Sequence, residues 1–111
     1  MVTFSAIKAL LLADGVSPTT IDIFLKWHQQ NPAVWKAFES TALEAINAGF
    51  KRWGAKGIAE VVRWRLSLET KSDFKLNNNF VAYYARVFAI QYPQQAEFFE
   101  FREAKGLKEA A

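Results

Sequence analysis

Apolar residues recur every three or four positions between the prolines and glycines of this chain, and almost no stretch alternates with a period of two. A period of about 3.6 residues is typical of α-helices that bury one face, whereas alternation is typical of half-buried strands. Proline and glycine at these intervals mark helix starts and ends. The pattern therefore predicts an all-α fold, a single compact domain of five or six helices.

Capping residues place the predicted helix boundaries. Ser17-Pro18 and Asn31-Pro32 each combine a capping side chain with a proline suited to the first helical position. Gly15 and Gly49 stand where a left-handed residue ends a helix. The predicted helices run from 3 to about 13, 18 to about 30, 32 to Gly49, about 55 to 68, Asn77 or Asn78 to 92, and 94 to about 105, with 106–111 frayed.

Composition limits the class of protein. A chain of 111 residues with 51% hydrophobic and 23% charged residues suits one domain over residues 1–111. Without cysteine it has no disulfide, thiolate zinc site or cysteine nucleophile, and a reducing compartment, the cytoplasm, is the expected location. No apolar run approaches the ~20 residues of a membrane span, so the sequence predicts neither a span nor a signal peptide.

Positive charge is concentrated in the middle of the chain. Segment 51–86 has eight basic and three acidic residues, a net charge of +5, whereas each flank has a net charge of −1. A basic segment of this kind is typical of a surface that binds phosphates, although an ordinary solvated helix face can carry as much charge. This segment contains the fourth and fifth predicted helices.

Two helices joined by a polar loop suggest a helix-turn-helix-like pair over 55–91, with helix five as the helix that reads bases. Its predicted outer face combines small alanines with amide and guanidinium groups, which pair with adenine and guanine. Basic side chains nearby would hold the phosphate backbone. The predicted nucleic-acid-binding residues are Lys51, Arg52, Lys56, Lys71, Lys75, Asn78, Asn79 and Arg86.

Two features leave this interpretation open. The predicted loop over 69–76 is about eight residues, longer than the 3 or 4 of a tight helix-turn-helix. The three consecutive asparagines also have a local explanation, because asparagine caps helices and tolerates turn conformations. A look-alike of the motif is therefore the alternative.

Several sequence elements, distributed over about residues 21–102, resemble a widespread family of small phage and prophage-borne proteins. They are Phe24-Leu25-Lys26-Trp27-His28, Asn31-Pro32-Ala33-Val34-Trp35, Val62-Arg63-Trp64, Asp73-Phe74-Lys75-Leu76-Asn77-Asn78-Asn79-Phe80 and Tyr83-Tyr84-Ala85-Arg86. The resemblance implies a phage or mobile-element protein that acts inside a bacterial host cell. It supplies no activity and no catalytic or binding residue.

Catalytic patterns are weak in this chain. His28 is the only histidine and is predicted to be packed near Trp27 or Trp35, or partly exposed, rather than a catalytic base. Asp73-Phe74-Lys75 matches the end of a metal-dependent nuclease motif, but such motifs lie on strands, which places a nuclease third among the functions. The sequence predicts a binding protein that is not an enzyme and has no cofactor and no metal site.

The chain contains ten Phe, four Trp and three Tyr residues, most of them expected in the core. Trp53 is the test case for base stacking, because it lies in a connection where rings are less often covered. Phe98, Phe99 and Phe101 cannot all share one helix face, so one of them is predicted to contact a second copy of the chain or another protein. Nucleic acid is the favoured partner, and a host protein complex, for example a defence complex that the protein inhibits, is the alternative.

Overall fold

A computed structural model describes residues 3–99 of the chain. Within that range there are five α-helices, a short 3₁₀ helix and no strand, which confirms the prediction of an all-α single domain. The elements are α1 (Phe4–Ala13), α2 (Pro18–Gln30), α3 (Pro32–Asn47), α4 (Ala55–Thr70), α5 (Asn78–Gln91) and the 3₁₀ helix Pro93–Gln95. None of the helices in this range is long and apolar enough to cross a membrane.

Two of the five helix starts use a capping side chain that the sequence indicates, in α2 and α5. The Ser17 hydroxyl accepts the Thr20 backbone N–H at 3.2 Å, and Asn77 Oδ1 accepts the Asn79 N–H at 2.8 Å. Asn31 differs from the prediction, because its side chain makes no capping bond to α3. Its Nδ2 instead donates to the Trp27 carbonyl oxygen at 2.9 Å, which fixes the end of α2 beside the start of α3.

Two predicted boundaries need correction. Helix α4 continues to Thr70 and ends at Lys71, whose φ of 56° puts it in the left-handed region, so the loop to α5 comprises 71–77. The predicted sixth helix is not α-helical over 94–99, where the chain forms the short 3₁₀ helix and then turns. The remainder of that helix and the frayed end at 106–111 lie outside the described residues.

Helix α5 is the central helix of the domain. Half of its 14 residues are buried, and they cover most of its circumference: Phe80, Val81, Tyr83, Tyr84, Ala85, Val87 and Phe88. Phe24 of α2 packs edge-on against three of its rings, with ring centroids 5.1 to 5.3 Å apart. Edge-to-face packing of this kind adds to the stabilisation from burial.

The phenylalanines after the 3₁₀ helix complete this core. Phe98 and Phe99 are fully buried, and Phe99 packs against Phe38 and Phe88 with ring centroids about 5.5 Å apart. Neither ring is available to a second copy of the chain or another protein, so of the three predicted candidates for such a contact Phe98 and Phe99 are excluded. Phe101, the third residue of that prediction, lies outside the described residues.

Helix α4 lies on the outside of the domain, against α3 and α5. Arg65 ties α4 to α3, because its guanidinium donates to the Glu44 carboxylate at 3.0 Å and to the Thr41 hydroxyl at 3.1 Å. The side of α4 that faces away from α3 and α5 is exposed to solvent.

Candidate nucleic-acid interface

Helix α4 carries apolar residues on two faces. The inner face buries Ile58, Val62 and Leu66 in the core. The opposite face exposes Trp64, 65% accessible, and Leu68, 58% accessible, together with Val61. Since these residues follow one another at intervals of three and four, they form a continuous line along the helix.

The connection before α4 extends this line. A Cβ atom added to Gly57 would stand 2.6 Å from the Trp53 indole nitrogen, so the indole rests directly on the first turn of α4. The Trp53 backbone N–H donates to the Phe98 carbonyl oxygen at 3.1 Å, and the Trp53 ring contacts Phe50 edge-on at 4.9 Å. Trp53 nevertheless keeps 43% of its surface accessible. We call this row of exposed apolar side chains the α4 stripe: Phe50, Trp53, Val61, Trp64 and Leu68.

A groove runs beside the stripe, between α4 and the loop that leads to α5. It consists of two adjoining cavities of about 490 and 300 Å³, which share Glu60, Arg63 and Asp73. Trp64 and Leu68 line the larger cavity and thereby join the groove to the stripe. We call these two cavities the α4 groove.

Arg63 shapes the groove by holding the loop in place. Its Nη2 donates to Asp73 Oδ1 at 2.7 Å, and its Nε donates to the Phe74 carbonyl oxygen at 3.0 Å. The hydrogen bond from Arg63, and then its charge, lower the pKa of the Asp73 carboxyl group. Asp73 therefore stays ionised, and the positive charge of Arg63 offsets its negative charge.

Four of the predicted binding residues line the groove. Lys71 borders the larger cavity, and Lys56, Lys75 and Asn78 border the smaller one. Lys51 and Arg52 are exposed in the connection before α4. Within residues 3–99, none of these five cations forms an ion pair with an acidic side chain. All five side chains are exposed, and the charge of Lys75 also contributes to lowering the pKa of the Asp73 carboxyl group.

Arg86 and Asn79 lie elsewhere, and their predicted base-reading roles need correction. The Arg86 side chain is only 10% exposed, and its Nε donates to Asp14 Oδ2, which follows α1, at 2.9 Å. Its Nη1 donates to the Ala82 carbonyl oxygen at 3.0 Å. Asn79 is half-buried and takes part, through its backbone, in the cap formed by Asn77. The Arg86 guanidinium thus joins α5 to the end of α1.

The burial of Arg86 and its neighbours also argues against α5 as the base-reading helix of a helix-turn-helix-like pair. A helix that reads bases must present one face to a groove of the duplex. The outer face predicted for α5 is half-buried at Ala82, Arg86 and Ala89, and the loop of seven residues before it exceeds that of a tight helix-turn-helix. Helix α4, which had no base-reading role in the prediction, carries the more accessible surface.

The sequence did not indicate Trp64 and Leu68 as functional residues. The sequence predicts that most of the aromatic rings lie in the core, and it singles out only Trp53 among the tryptophans as exposed. A signal was present, because Trp64 follows Val62 by two residues, about 200° around a helix. A helix whose core face is set by Ile58, Val62 and Leu66 has to present Trp64 to the outside.

Two of the groups considered for catalysis, Asp73 and His28, are engaged in structural contacts. Glu60, Asp73 and Lys75 border one cavity, as the nuclease alternative would require, but Arg63 occupies the Asp73 carboxylate. His28 is half-buried, as predicted, and its Nδ1 shares a hydrogen bond of 2.7 Å with the Tyr84 hydroxyl. No cluster of three metal-ligating side chains occurs in the described part of the chain, 3–99.

Comparisons with protein-family models, curated proteins and solved structures gave no match for this chain. The functional argument therefore depends on the surface of α4 itself.

Proposed function

We propose that this protein binds single-stranded nucleic acid along the α4 stripe and the α4 groove. The observation that carries the proposal is the position of two accessible tryptophans, Trp53 and Trp64, on the same helix face, beside exposed lysines that have no acidic partner in residues 3–99. Proteins that bind single strands combine these two elements, aromatic side chains for the bases and cations for the phosphates.

Stacking favours a single strand over a duplex. In a duplex the faces of the bases are covered by neighbouring bases, whereas in a single strand they are available to an aromatic ring. The stripe follows α4 from the Trp53 indole on Gly57 to Leu68, which is eleven steps along the helix, or about 16 Å at about 1.5 Å per residue. That length accommodates more than one nucleotide.

The cations would supply affinity and salt dependence. Lys56, Lys71 and Lys75 border the groove, and its two carboxylates, Glu60 and Asp73, leave a net positive charge once Arg63 is included. Each phosphate neutralised by a lysine releases counterions, which weakens binding as salt rises, by about 0.7 in the log–log slope per contact with a single strand.

The test is a fluorescence-anisotropy titration at low salt with a labelled oligothymidylate and with a duplex of equal length. We expect the single strand to bind more tightly than the duplex. Trp64→Ala should weaken its binding by at least about fivefold, because a base stack contributes about 1–3 kcal/mol. Lys71→Ala should reduce the salt slope by about 0.7.

Matched controls come from α2, which contributes no residue to the groove. Ile23→Ala removes an apolar side chain that is 59% exposed, a fraction similar to the 65% of Trp64. Lys26→Ala removes an exposed lysine. Both variants should bind like the unmodified chain. Absence of binding to either oligonucleotide, or equal losses from Trp64→Ala and Ile23→Ala, would contradict the proposal.

The resemblance to phage and prophage-borne proteins suggests the setting, which is the cytoplasm of a bacterial host during phage or mobile-element activity. It bears on context only. Within the proposal the protein is a binding factor and not an enzyme.

A protein partner is the second candidate, and the aliphatic part of the stripe favours it. Val61 and Leu68 are exposed beside Trp64, and exposed apolar patches of this kind are typical of protein interfaces. Under this alternative, a host protein complex would be recovered from nuclease-treated lysate by the unmodified chain and lost with Leu68→Ala. Recovery that disappears on nuclease treatment would favour nucleic acid.

A further inference from the structure

The two acidic residues that line the α4 groove, Glu60 and Asp73, are in different states. Arg63 Nη2 donates to Asp73 Oδ1 at 2.7 Å. Glu60 borders both cavities, and its side chain is 62% exposed. Its carboxylate accepts no hydrogen bond within residues 3–99, and its ion-pair contact there is Arg63 Nη1, 4.0 Å away. Glu60 therefore presents acceptor oxygens that a ligand in the groove can reach.

Glu60 lies one helical turn before Trp64. Residues four apart on a helix are neighbours, with Cβ atoms about 5–6 Å apart, and helical side chains lean towards the N-terminus. The Trp64 ring, which is 65% exposed, is therefore directed towards the turn that carries Glu60, and both residues line the larger cavity. A base stacked on Trp64 would have one of its edges beside the Glu60 carboxylate.

A carboxylate at this position distinguishes the parts of a nucleotide. It repels phosphates, because the charges have the same sign. It accepts hydrogen bonds from the N–H groups of bases, whose Watson–Crick edges are accessible in a single strand. A carboxylate inside a basic groove is thus better suited to a base edge than to the phosphate backbone.

The Watson–Crick edge of guanine matches a carboxylate best. Guanine has two adjacent donors there, N1–H and N2–H, and two parallel donors pair with the two oxygens of a carboxylate, as in an arginine–carboxylate pair. Adenine and cytosine each place an amino donor next to a ring-nitrogen acceptor. Thymine has one N–H between two carbonyl oxygens, which a carboxylate repels.

We propose that the α4 groove selects guanine, and that Glu60 accepts hydrogen bonds from N1–H and N2–H of a guanine stacked on Trp64. This inference rests on the proposed binding of single-stranded nucleic acid and specifies the base that the groove prefers. Elsewhere along the α4 stripe, stacking remains tolerant of sequence, so an oligothymidylate still binds.

The test is an anisotropy titration with three labelled strands that differ at one central base: an oligothymidylate, the same strand with one deoxyguanosine, and the same strand with one deoxyinosine. Inosine is also a purine and keeps N1–H, but it lacks the N2 amino group. The guanine strand should bind at least about fivefold more tightly than the oligothymidylate, the discrimination that a bidentate pair supplies. The inosine strand should lose most of this gain.

Two matched variants assign the preference to Glu60. Glu60→Ala removes both acceptor oxygens and suits a helix, so it should bind the guanine and inosine strands equally. Glu69→Ala is the control, because Glu69 is exposed on α4, has the same charge and lines neither cavity. It should keep the full preference for guanine.

The outcomes separate this inference from the proposed function. Equal affinities of the unmodified chain for the guanine and inosine strands, or a guanine preference that persists in Glu60→Ala, would overturn the role of Glu60 and leave single-strand binding in place. Absence of binding to all three strands would overturn both.

Discussion

Helices α4 and α5 are neighbours of similar length, 16 and 14 residues, yet they use their apolar side chains differently. Helix α5 buries seven residues and forms the centre of the core. Helix α4 buries only four and leaves Val61, Trp64 and Leu68 accessible. Burial in the core does not account for the exposed residues of α4, and the proposed binding surface consists of these residues.

Charged residues show the same contrast. Arg63, Arg65 and Arg86 each pair with an acidic residue of another segment, Asp73, Glu44 and Asp14, and so connect parts of the fold. The guanidinium suits this role because it donates several hydrogen bonds in a fixed geometry. The lysines along the groove form no such ion pair in the described residues.

The largest contrast should appear in stability. Phe88→Ala, in α5, removes a fully buried ring and should lower the free energy of unfolding by about 3–5 kcal/mol. Trp64→Ala, in α4, removes a larger ring that is 65% exposed and should change it by less than about 1 kcal/mol. Urea unfolding monitored by circular dichroism measures both. Similar losses for the two variants would show that Trp64 is a core residue.

The next contrast is between a paired and an unpaired cation. Arg86→Ala removes the ion pair with Asp14 and the side-chain hydrogen bond to the Ala82 carbonyl group, so it should lower the free energy of unfolding by about 1–2 kcal/mol. Lys71→Ala should leave stability within about 0.5 kcal/mol and affect only ligand binding. Urea unfolding and oligonucleotide titration distinguish them. A stable Arg86→Ala variant that no longer binds oligonucleotide would restore Arg86 to the interface.

A smaller effect is expected from moving the Trp53 indole without removing it. Gly57→Ala places a Cβ atom where that ring lies, so the ring must shift, and single-strand affinity should fall by about 3–10-fold. Gly54→Ala is the control, because a Cβ atom there meets no atom within 4 Å, and its affinity should be unchanged. Equal affinities of the unmodified chain, Gly57→Ala and Gly54→Ala would show that Trp53 does not contact the nucleic acid.

The smallest effect concerns His28, at the edge of the α5 core. Burial lowers the pKa of its imidazole below the usual value of about 6.5, so the unfolded chain binds more protons than the folded chain in the window just below that value. Stability should therefore decrease as pH falls through about 6.5, and this part of the decrease should be absent in His28→Gln. Unfolding of both chains between pH 7.5 and about 5.5 tests the sign. Identical pH profiles would contradict it.

Local features of the fold were predictable from the sequence, and long-range pairings were not. Ser17, Pro18 and Asn77 act within a few residues of their own position, so their capping roles could be inferred from sequence alone. Asp14 and Arg86 are 72 positions apart, and no local pattern indicates that they meet.

The candidate site divides in the same way. Lys56, Lys71 and Lys75 were recognised from their charge, and the fold places them around one groove. The sequence does not single out Trp64, because an apolar residue in a helix is normally assigned to the core. Since Val62 is buried, Trp64, two residues later, lies on the outer side of α4. The prediction that one of Phe98, Phe99 and Phe101 contacts a partner assumes a sixth helix, on which the three rings cannot share one face. The chain turns after Pro93 instead, and this lets Phe98 and Phe99 both enter the core.

The most direct test of the α4 surface uses the indole N–H signals of the four tryptophans in an ¹H–¹⁵N NMR titration with oligothymidylate. The account predicts that the signals of Trp53 and Trp64 shift with the ligand, while those of Trp27 and Trp35, half-buried and buried in the core, remain in place. Unchanged signals from Trp53 and Trp64 at saturating oligonucleotide would contradict it.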